Sequence, residues 1–187
     1  MKEYILPAIR LTIVCILFFC GVYTLLVLGI AQVAPAKGNG QTVTVNGKVV
    51  GYKLIGQKFT YDKYFWSRPS AVDYNAAGSG GSNKGPTNPE YLKTVQDRID
   101  SFLVHNPGIK KEEIPSELVT ASGSGQDPDL SPGAAYIQVK RIAAIRNIPE
   151  EKIEALIAQH SEKPLLGLFG TERVNILQLN IDLDNLK

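Results

Sequence analysis

The chain has 187 residues, with 20 Lys and Arg against 18 Asp and Glu, a formal net charge of +2 and 44% hydrophobic residues. So even a balance, with no basic block and no aromatic-rich basic stripe, lacks the electrostatic footprint of a nucleic-acid binder. The two cysteines, Cys15 and Cys20, both fall in the N-terminal apolar run, so the remaining ~150 residues must be held by an ordinary core, and that length suffices to build one.

The first element is that apolar run. Leu11 to Ala36 is 26 residues without Lys, Arg, Asp or Glu. A helix needs about 20 apolar residues to cross a bilayer core of roughly 30 Å, and a lone segment crosses only as a helix, because lipid offers no partner to backbone N–H and C=O groups. The expected organisation is a short tail over 1–10, a transmembrane helix over 11–33 in contact with the lipid bilayer, and a body over 34–187. A cleaved signal peptide is the rival: Lys2 and Arg10 give a positive start, and Ala34-Pro35-Ala36 resembles a small-residue cleavage site. The apolar region of such a peptide spans only about 7–15 residues, and Pro35 falls inside the would-be cleavage site, so the run reads as a retained anchor.

Lys2 and Arg10 with Glu3 on one side, and Lys37, Lys48 and Lys53 on the other, do not choose an orientation by charge. The common arrangement keeps a short N-terminus inside and exports the body. Cys15 and Cys20, five apart, face different directions on an α-helix and are not expected to pair. The span has no ionisable carboxylate or base, which gives no support for a transport pathway through this helix alone.

The body opens with a predicted hairpin: Thr42–Val45, an Asn46-Gly47 turn of type I′, and a return strand over Lys48–Ile55. The aromatic cluster Phe59, Tyr61, Tyr64, Phe65 and Trp66 reads first as core packing under a loop. Residues 68–89 form a long segment rich in Gly, Ser, Asn and Pro; loops of that length are uncommon in compact domains unless functional or disordered. Asn88 as N-cap and Pro89 at the first helical position then open a helix to His105, with Leu92, Val95, Ile99, Phe102 and Leu103 at helical spacing. Ile114–Ala121 is expected to be a strand. It feeds a second loop, 120–132, after which Ser131 and Pro132 start a helix with Val139, Ile142, Ala143 and Ile145 on its apolar face. Pro149 begins another, with Ile153, Leu156 and Ile157 inward and Glu150 and Glu151 at its positive end. Arg173–Leu183 reads as a terminal strand with one register break. Together these predict an α+β domain behind a single N-terminal transmembrane helix.

The two loops are the candidate site. Neither is a P-loop or GxGxxG fingerprint. Ser79-Gly80-Gly81-Ser82-Asn83 resembles the signature loop of ABC ATPases, which makes Ser79, Gly80, Gly81, Ser122, Gly123, Ser124 and Gly125 weak nucleotide candidates; the second loop also leads to a helix start, where amides can meet an anion. The alternative is a small-residue surface for another protein, with Trp66, Arg68, Gly80, Gly81, Asn83 and Asp127 as contact candidates, since interfaces favour aromatic and Arg anchors. Asp127 and Asp129 suit a cation site by composition, but Asp-Pro turns and Asp caps are commoner, and no metal site is assigned. A membrane-anchored hydrolase is the least supported reading: His105 and His160 are the only histidines, and there is no GxSxG elbow.

At these residues the chain resembles the C-chain family of the bacterial Kdp potassium-transporting ATPases. The match runs through the N-terminal span, Tyr64-Phe65-Trp66-Ser67-Arg68-Pro69-Ser70, Tyr74-Asn75, Ser79-Gly80-Gly81-Ser82-Asn83, Gly85-Pro86-Thr87-Asn88-Pro89, Val119 to Gly125, Asp127-Pro128, Ser131-Pro132, Arg173-Val174-Asn175 and Leu179-Asn180. The chain departs from the family pattern where Asp129 replaces a usual His, Gln126 a usual apolar residue and Gly133 a usual Ala, so no role of that His carries over. The resemblance implies a non-catalytic accessory subunit of a high-affinity, ATP-driven potassium uptake complex. Its implied partners are a channel-like potassium-binding subunit, a P-type ATPase subunit and a small single-span subunit. ATP and potassium would be handled by those partners, with no cofactor of this chain's own. The implied place is the bacterial inner membrane, with the N-terminus cytoplasmic and the body extracytoplasmic. Family ideas of its action are assembly and, as a catalytic chaperone, a raised ATP affinity of the ATPase subunit; direct nucleotide binding is the alternative.

Overall fold

The structure is a computed structural model describing residues 2–186. It divides between Gln41 and Thr42 into two units.

In the first unit, α1 (Lys2–Cys15), a π-helical stretch (Ile16–Tyr23) and α2 (Thr24–Val33) form one continuous helix. Glu3–Val33 is 31 residues with a mean hydropathy of 2.7 in its most apolar window, long and apolar enough to cross a membrane. The helix therefore takes in residues 2–10 of the expected tail rather than starting after it. Its threonine hydroxyls are satisfied by its own backbone: Thr12 Oγ1 donates to the Ala8 carbonyl at 2.9 Å, and Thr24 Oγ1 to that of Phe19, five residues back, at 3.1 Å. In lipid such internal bonding is the only kind at hand. Cys15 and Cys20 are unpaired. Ala34 turns extended, and Pro35 opens a 3₁₀ turn to Gly38 that ends the unit's helical path.

The second unit starts with the predicted hairpin. β1 (Thr42–Val45) and β2 (Lys48–Tyr52) pair antiparallel, Val45 opposite Lys48, and Asn46 and Gly47 take φ of +51° and +77°, as a type I′ turn requires. The return strand stops at Tyr52, and a turn bond from the Ile55 amide to the Tyr52 carbonyl replaces its expected end. Helix α3 covers Pro89–His105, with the Asn88 side chain accepting from the Tyr91 amide, as predicted.

The expected strand over 114–121 is absent. A 3₁₀ turn, Ser116–Leu118, takes its place, just after another at Lys111–Glu113. Pro115 supplies the carbonyl for the Leu118 amide at 3.0 Å, so the backbone bonds locally and Leu118 and Val119 are buried from a turn.

After β3 (Asp129–Leu130), the predicted helix from Pro132 is split into α4 (Pro132–Tyr136) and α5 (Val139–Arg146); Ile145 on its expected apolar face is exposed. Helix α6 (Glu150–His160) buries Ile153, Leu156 and Ile157. A short strand, β4 (Ser161–Glu162), precedes β5 (Arg173–Asn175), and β3, β5 and β4 form a sheet in that order with β5 central and antiparallel to both.

The terminal strand is corrected to three residues followed by α7 (Ile176–Asn185). The Asn175 side chain caps this helix, accepting from the Gln178 amide at 3.1 Å. Ile176, Leu179, Asn180 and Leu183 are spaced i, i+3, i+4, i+7, one helical face, and all are buried. The core gathers Phe65, Phe102, Leu130, Ile142, Ile153, Ile157, Val174, Leu179 and Leu183. Truncating any one of these Leu or Ile residues to Ala removes ~2–5 kcal/mol. The α+β class expected from the sequence is the one observed.

Candidate functional site

The two Gly/Ser-rich loops lie against each other and are bonded between residues 69–80 and 122–126. The Ser122 amide donates to the Pro69 carbonyl at 3.1 Å, and the Gly80 amide to the Ser124 carbonyl at 2.8 Å. Ser70 Oγ donates to the Gly125 carbonyl at 2.8 Å, and Ser79 Oγ to the Ser124 carbonyl at 2.9 Å. Gln126 Nε2 reaches the Asn75 carbonyl at 2.7 Å.

The glycines serve this contact unequally. Gly125 sits at φ +68°, and a Cβ there would lie 2.5 Å from Val72 Cγ2 and 2.9 Å from the Gly80 carbonyl oxygen. At Gly81 a Cβ would press on the Gly123 carbonyl at 3.1 Å, whereas at Gly80 its nearest neighbour would be 3.8 Å away. Small residues are thus needed chiefly so that the loops can touch each other.

Arg68 and Asp127, separate candidates in the sequence, form an ion pair across the loops at 3.1 Å, both side chains 29% exposed. Asp127 also accepts from the Asp129 amide at 3.2 Å, the local Asx turn of an Asp-Pro segment. Asp129 turns away to Asn175 Nδ2 at 3.1 Å and Arg173 at 3.7 Å. Burial raises its carboxyl above the usual carboxylate range, against the opposing pull of Asn175 and Arg173. Among the described residues no three His, Cys, Asp or Glu side chains are grouped to hold a metal.

Three amides available on paper to a phosphate are engaged: those of Gly80 and Ser122 as above, and that of Gly125 with Ser122 Oγ at 2.9 Å. The start of α4 is occupied too. Ser131 Oγ accepts from the Ala134 amide, and the Glu117 carboxylate bonds both the Ser131 amide and its hydroxyl. A carboxylate there repels a second anion. Asn83 is exposed on the outer side of the first loop at φ +52°, and Gly80 is half-buried.

Trp66 is half-buried and held from within. Its amide donates to Gln138 Oε1 at 2.8 Å, its ring meets Phe102 and His105 edge-on at 6.2 and 5.0 Å, and the Arg141 guanidinium lies 4.7 Å from its centroid. With Phe59, Arg98, Phe102 and His105 it lines an open cleft of about 610 Å³. The histidines face carboxylates: His105 Nδ1 is 2.9 Å from Asp62, and His160 Nε2 is 2.9 Å from Asp182.

Sequence reasoning missed the buried polar side chains that hold the aromatic segment. Arg141, 5% exposed, donates to Asn106 Oδ1 at 2.9 Å, Gln138 Oε1 at 2.8 Å and the Tyr64 carbonyl at 3.1 Å, and it also bonds the Asp62 carbonyl. Burial lowers its pKa to about 10. Asn180 clamps Phe65 from both sides, accepting from its amide at 2.8 Å and donating to its carbonyl at 3.0 Å. The available signal was position: Gln138 and Arg141 fall beside Val139 and Ile142, and Asn180 lies within the α7 core face.

One apolar helix able to cross a bilayer among the described residues, followed by a small α+β body whose surface loops bond to one another, defines the class of membrane-anchored proteins with a folded extramembrane domain. The sequence matches the family model described as "K+-transporting ATPase, c chain" over residues 5–185. It is 56% identical over 183 residues to the potassium-transporting ATPase KdpC subunit of Flavobacterium psychrophilum, covering 98% of each chain. It is 52% identical over 186 residues to that of Bacteroides fragilis, covering 98% of this chain and 97% of the relative. Identity to that of Caldanaerobacter subterraneus subsp. tengcongensis is 46% over 184 residues, 98% of this chain and 95% of the relative. The chain belongs to the K+-transporting ATPase c chain family.

Proposed function

We propose that this chain is a non-catalytic accessory subunit of an ATP-driven potassium uptake complex, anchored in the bacterial inner membrane by its N-terminal helix with the body outside. Its work is to hold together a channel-like potassium-binding subunit, a P-type ATPase subunit and a small single-span subunit. The observation that carries this reading is the loop pair, in a chain whose family is defined by that ATPase. Residues 68–80 and 122–127 are bonded to one another, so this part of the two segments presents one pre-formed face. Pre-formed surfaces lose less entropy on docking. Gly80, half-buried, and Asn83, exposed, lie on the first segment, and the Arg68–Asp127 pair ties it to the second.

A body outside the membrane cannot touch ATP inside, but it can favour one state of the complex and thereby change the ATPase subunit's affinity through linkage. Direct nucleotide binding by these loops is disfavoured by the engaged amides and by Glu117 at the start of α4.

The test is a pair of substitutions that spare the loop–loop bonds, Gly80→Gln and Asn83→Arg, in full-length chain expressed with its partners. Partner recovery per tagged chain is expected to fall ~10-fold, as for loss of an interface centre, with thermal unfolding unchanged for Gly80→Gln and lowered by only about 2–8 °C for Asn83→Arg, whose φ of +52° suits Asn better than Arg. Wild-type recovery with both substitutions in place would refute this docking face.

A further inference from the structure

The sheet carries an apolar hairpin that the docking face does not use. β4 and β5 run antiparallel, Glu162 opposite Arg173, and residues 163–172 join them. Within this connection the chain pairs again. The Leu165 amide donates to the Phe169 carbonyl at 2.9 Å and the Phe169 amide to the Leu165 carbonyl at 3.0 Å, while the Gly167 amide reaches the Pro164 carbonyl at 2.9 Å. The tip therefore has a defined shape.

On it, Leu165, Leu166, Leu168 and Phe169 are 69%, 82%, 80% and 64% exposed. Leu166 has φ +55°, a left-handed conformation that leucine rarely takes and that Asn or Gly would adopt with less strain. Four large apolar side chains held outward, one on an unfavourable backbone, mark a contact surface rather than a plain turn.

The surrounding charges narrow the occupant. Glu162, Lys163, Glu172 and Arg173 cancel, and Arg173 is held by Glu162 at 2.9 Å with Asp129 at 3.7 Å. A loop that inserts among anionic headgroups carries surplus Lys or Arg at its base, and this one has none to spare. A rigid, uncharged apolar knob fits an uncharged apolar pocket in another protein. We infer that residues 165–169 plug into such a pocket on a fellow subunit of the same complex, a second contact besides the two loops. This rests on the subunit reading above.

The test places a photo-crosslinking amino acid at position 166 or 168 of the full-length chain, expressed with its partners, with crosslinked peptides identified by mass. The expected result is a crosslink to a partner subunit. In addition, the double variant Leu166→Ser, Leu168→Ser should lower partner recovery ~10-fold without lowering the melting temperature, because neither side chain is packed. Crosslinks only to lipid or to a second copy of this chain, or none, with partners recovered normally, would overturn the inference and leave the subunit reading standing. Failure of the unsubstituted chain to recover any partner would overturn both.

Discussion

Gly125→Ala separates what the loop glycines do for folding from what they do for docking. The added methyl must sit at φ +68°, where an L side chain costs about 1–2 kcal/mol. It also meets Val72 Cγ2 at 2.5 Å and the Gly80 carbonyl oxygen at 2.9 Å. The valine can rotate, but the carbonyl belongs to the opposite loop and can yield only by parting the two segments. Overpacking of this kind adds ~1–3 kcal/mol. The sum, ~2–5 kcal/mol, corresponds to a melting temperature lowered by about 4–20 °C for a chain of this size. Gly80→Ala is the matched control: with 3.8 Å to its nearest neighbour and no positive φ, it should melt within ~2 °C of the parent. The assay is thermal unfolding of the full chain in detergent, followed by circular dichroism. Equal melting temperatures for the two variants would refute the reasoning that Gly125 exists to let the loops touch.

Further outcomes follow from the buried polar contacts. Asn180→Ala strands the Phe65 amide and carbonyl, and at ~1–3 kcal/mol for each buried unsatisfied group should destabilise the chain by ~2–6 kcal/mol in denaturant titration; a cost under ~1 kcal/mol would show that water replaces the amide. Arg141→Met should also destabilise, and should loosen Trp66, read as a red shift and increased quenching of its fluorescence; an unchanged spectrum would mean the guanidinium does not fix the ring. Asp129 has a folded-state pKa raised by burial. As pH rises through the carboxylate range the unfolded chain ionises first, so the wild type loses stability there and Asp129→Asn does not. The melting temperature of Asp129→Asn relative to wild type should therefore climb from acid to neutral pH and then level; a difference independent of pH would contradict the burial argument.

The parts of the fold written in local chemistry were legible. Asn46-Gly47 declared its turn, Asn88-Pro89 and Ser131-Pro132 declared helix starts, and the uncharged N-terminal run declared a helix ending at Val33, though not its start at Lys2. Two apolar segments misled. Ile114–Ala121 has strand composition, but Pro115 feeds its carbonyl to a local turn. In Arg173–Leu183 the supposed register break was the helical period itself, with Asn175 serving as cap. The site was half legible. Both loops stood out by composition, yet nothing in either segment says that Arg68 meets Asp127 or that Gly81 lies on Gly123, because those contacts join residues more than 40 positions apart. Gln138, Arg141 and Asn180 were hidden for a related reason: a polar residue on an apolar face is read as solvated until the backbone it serves is seen beside it.

On this reading the chain works only as a docked subunit. The most direct measurement is a mild-detergent pull-down through a C-terminal tag, from cells starved of potassium, with the recovered proteins identified by mass and their ratios quantified. The account predicts a P-type ATPase subunit and a channel-like subunit in fixed proportion to this chain. Recovery of this chain alone, in detergent that keeps other membrane complexes together, would contradict it.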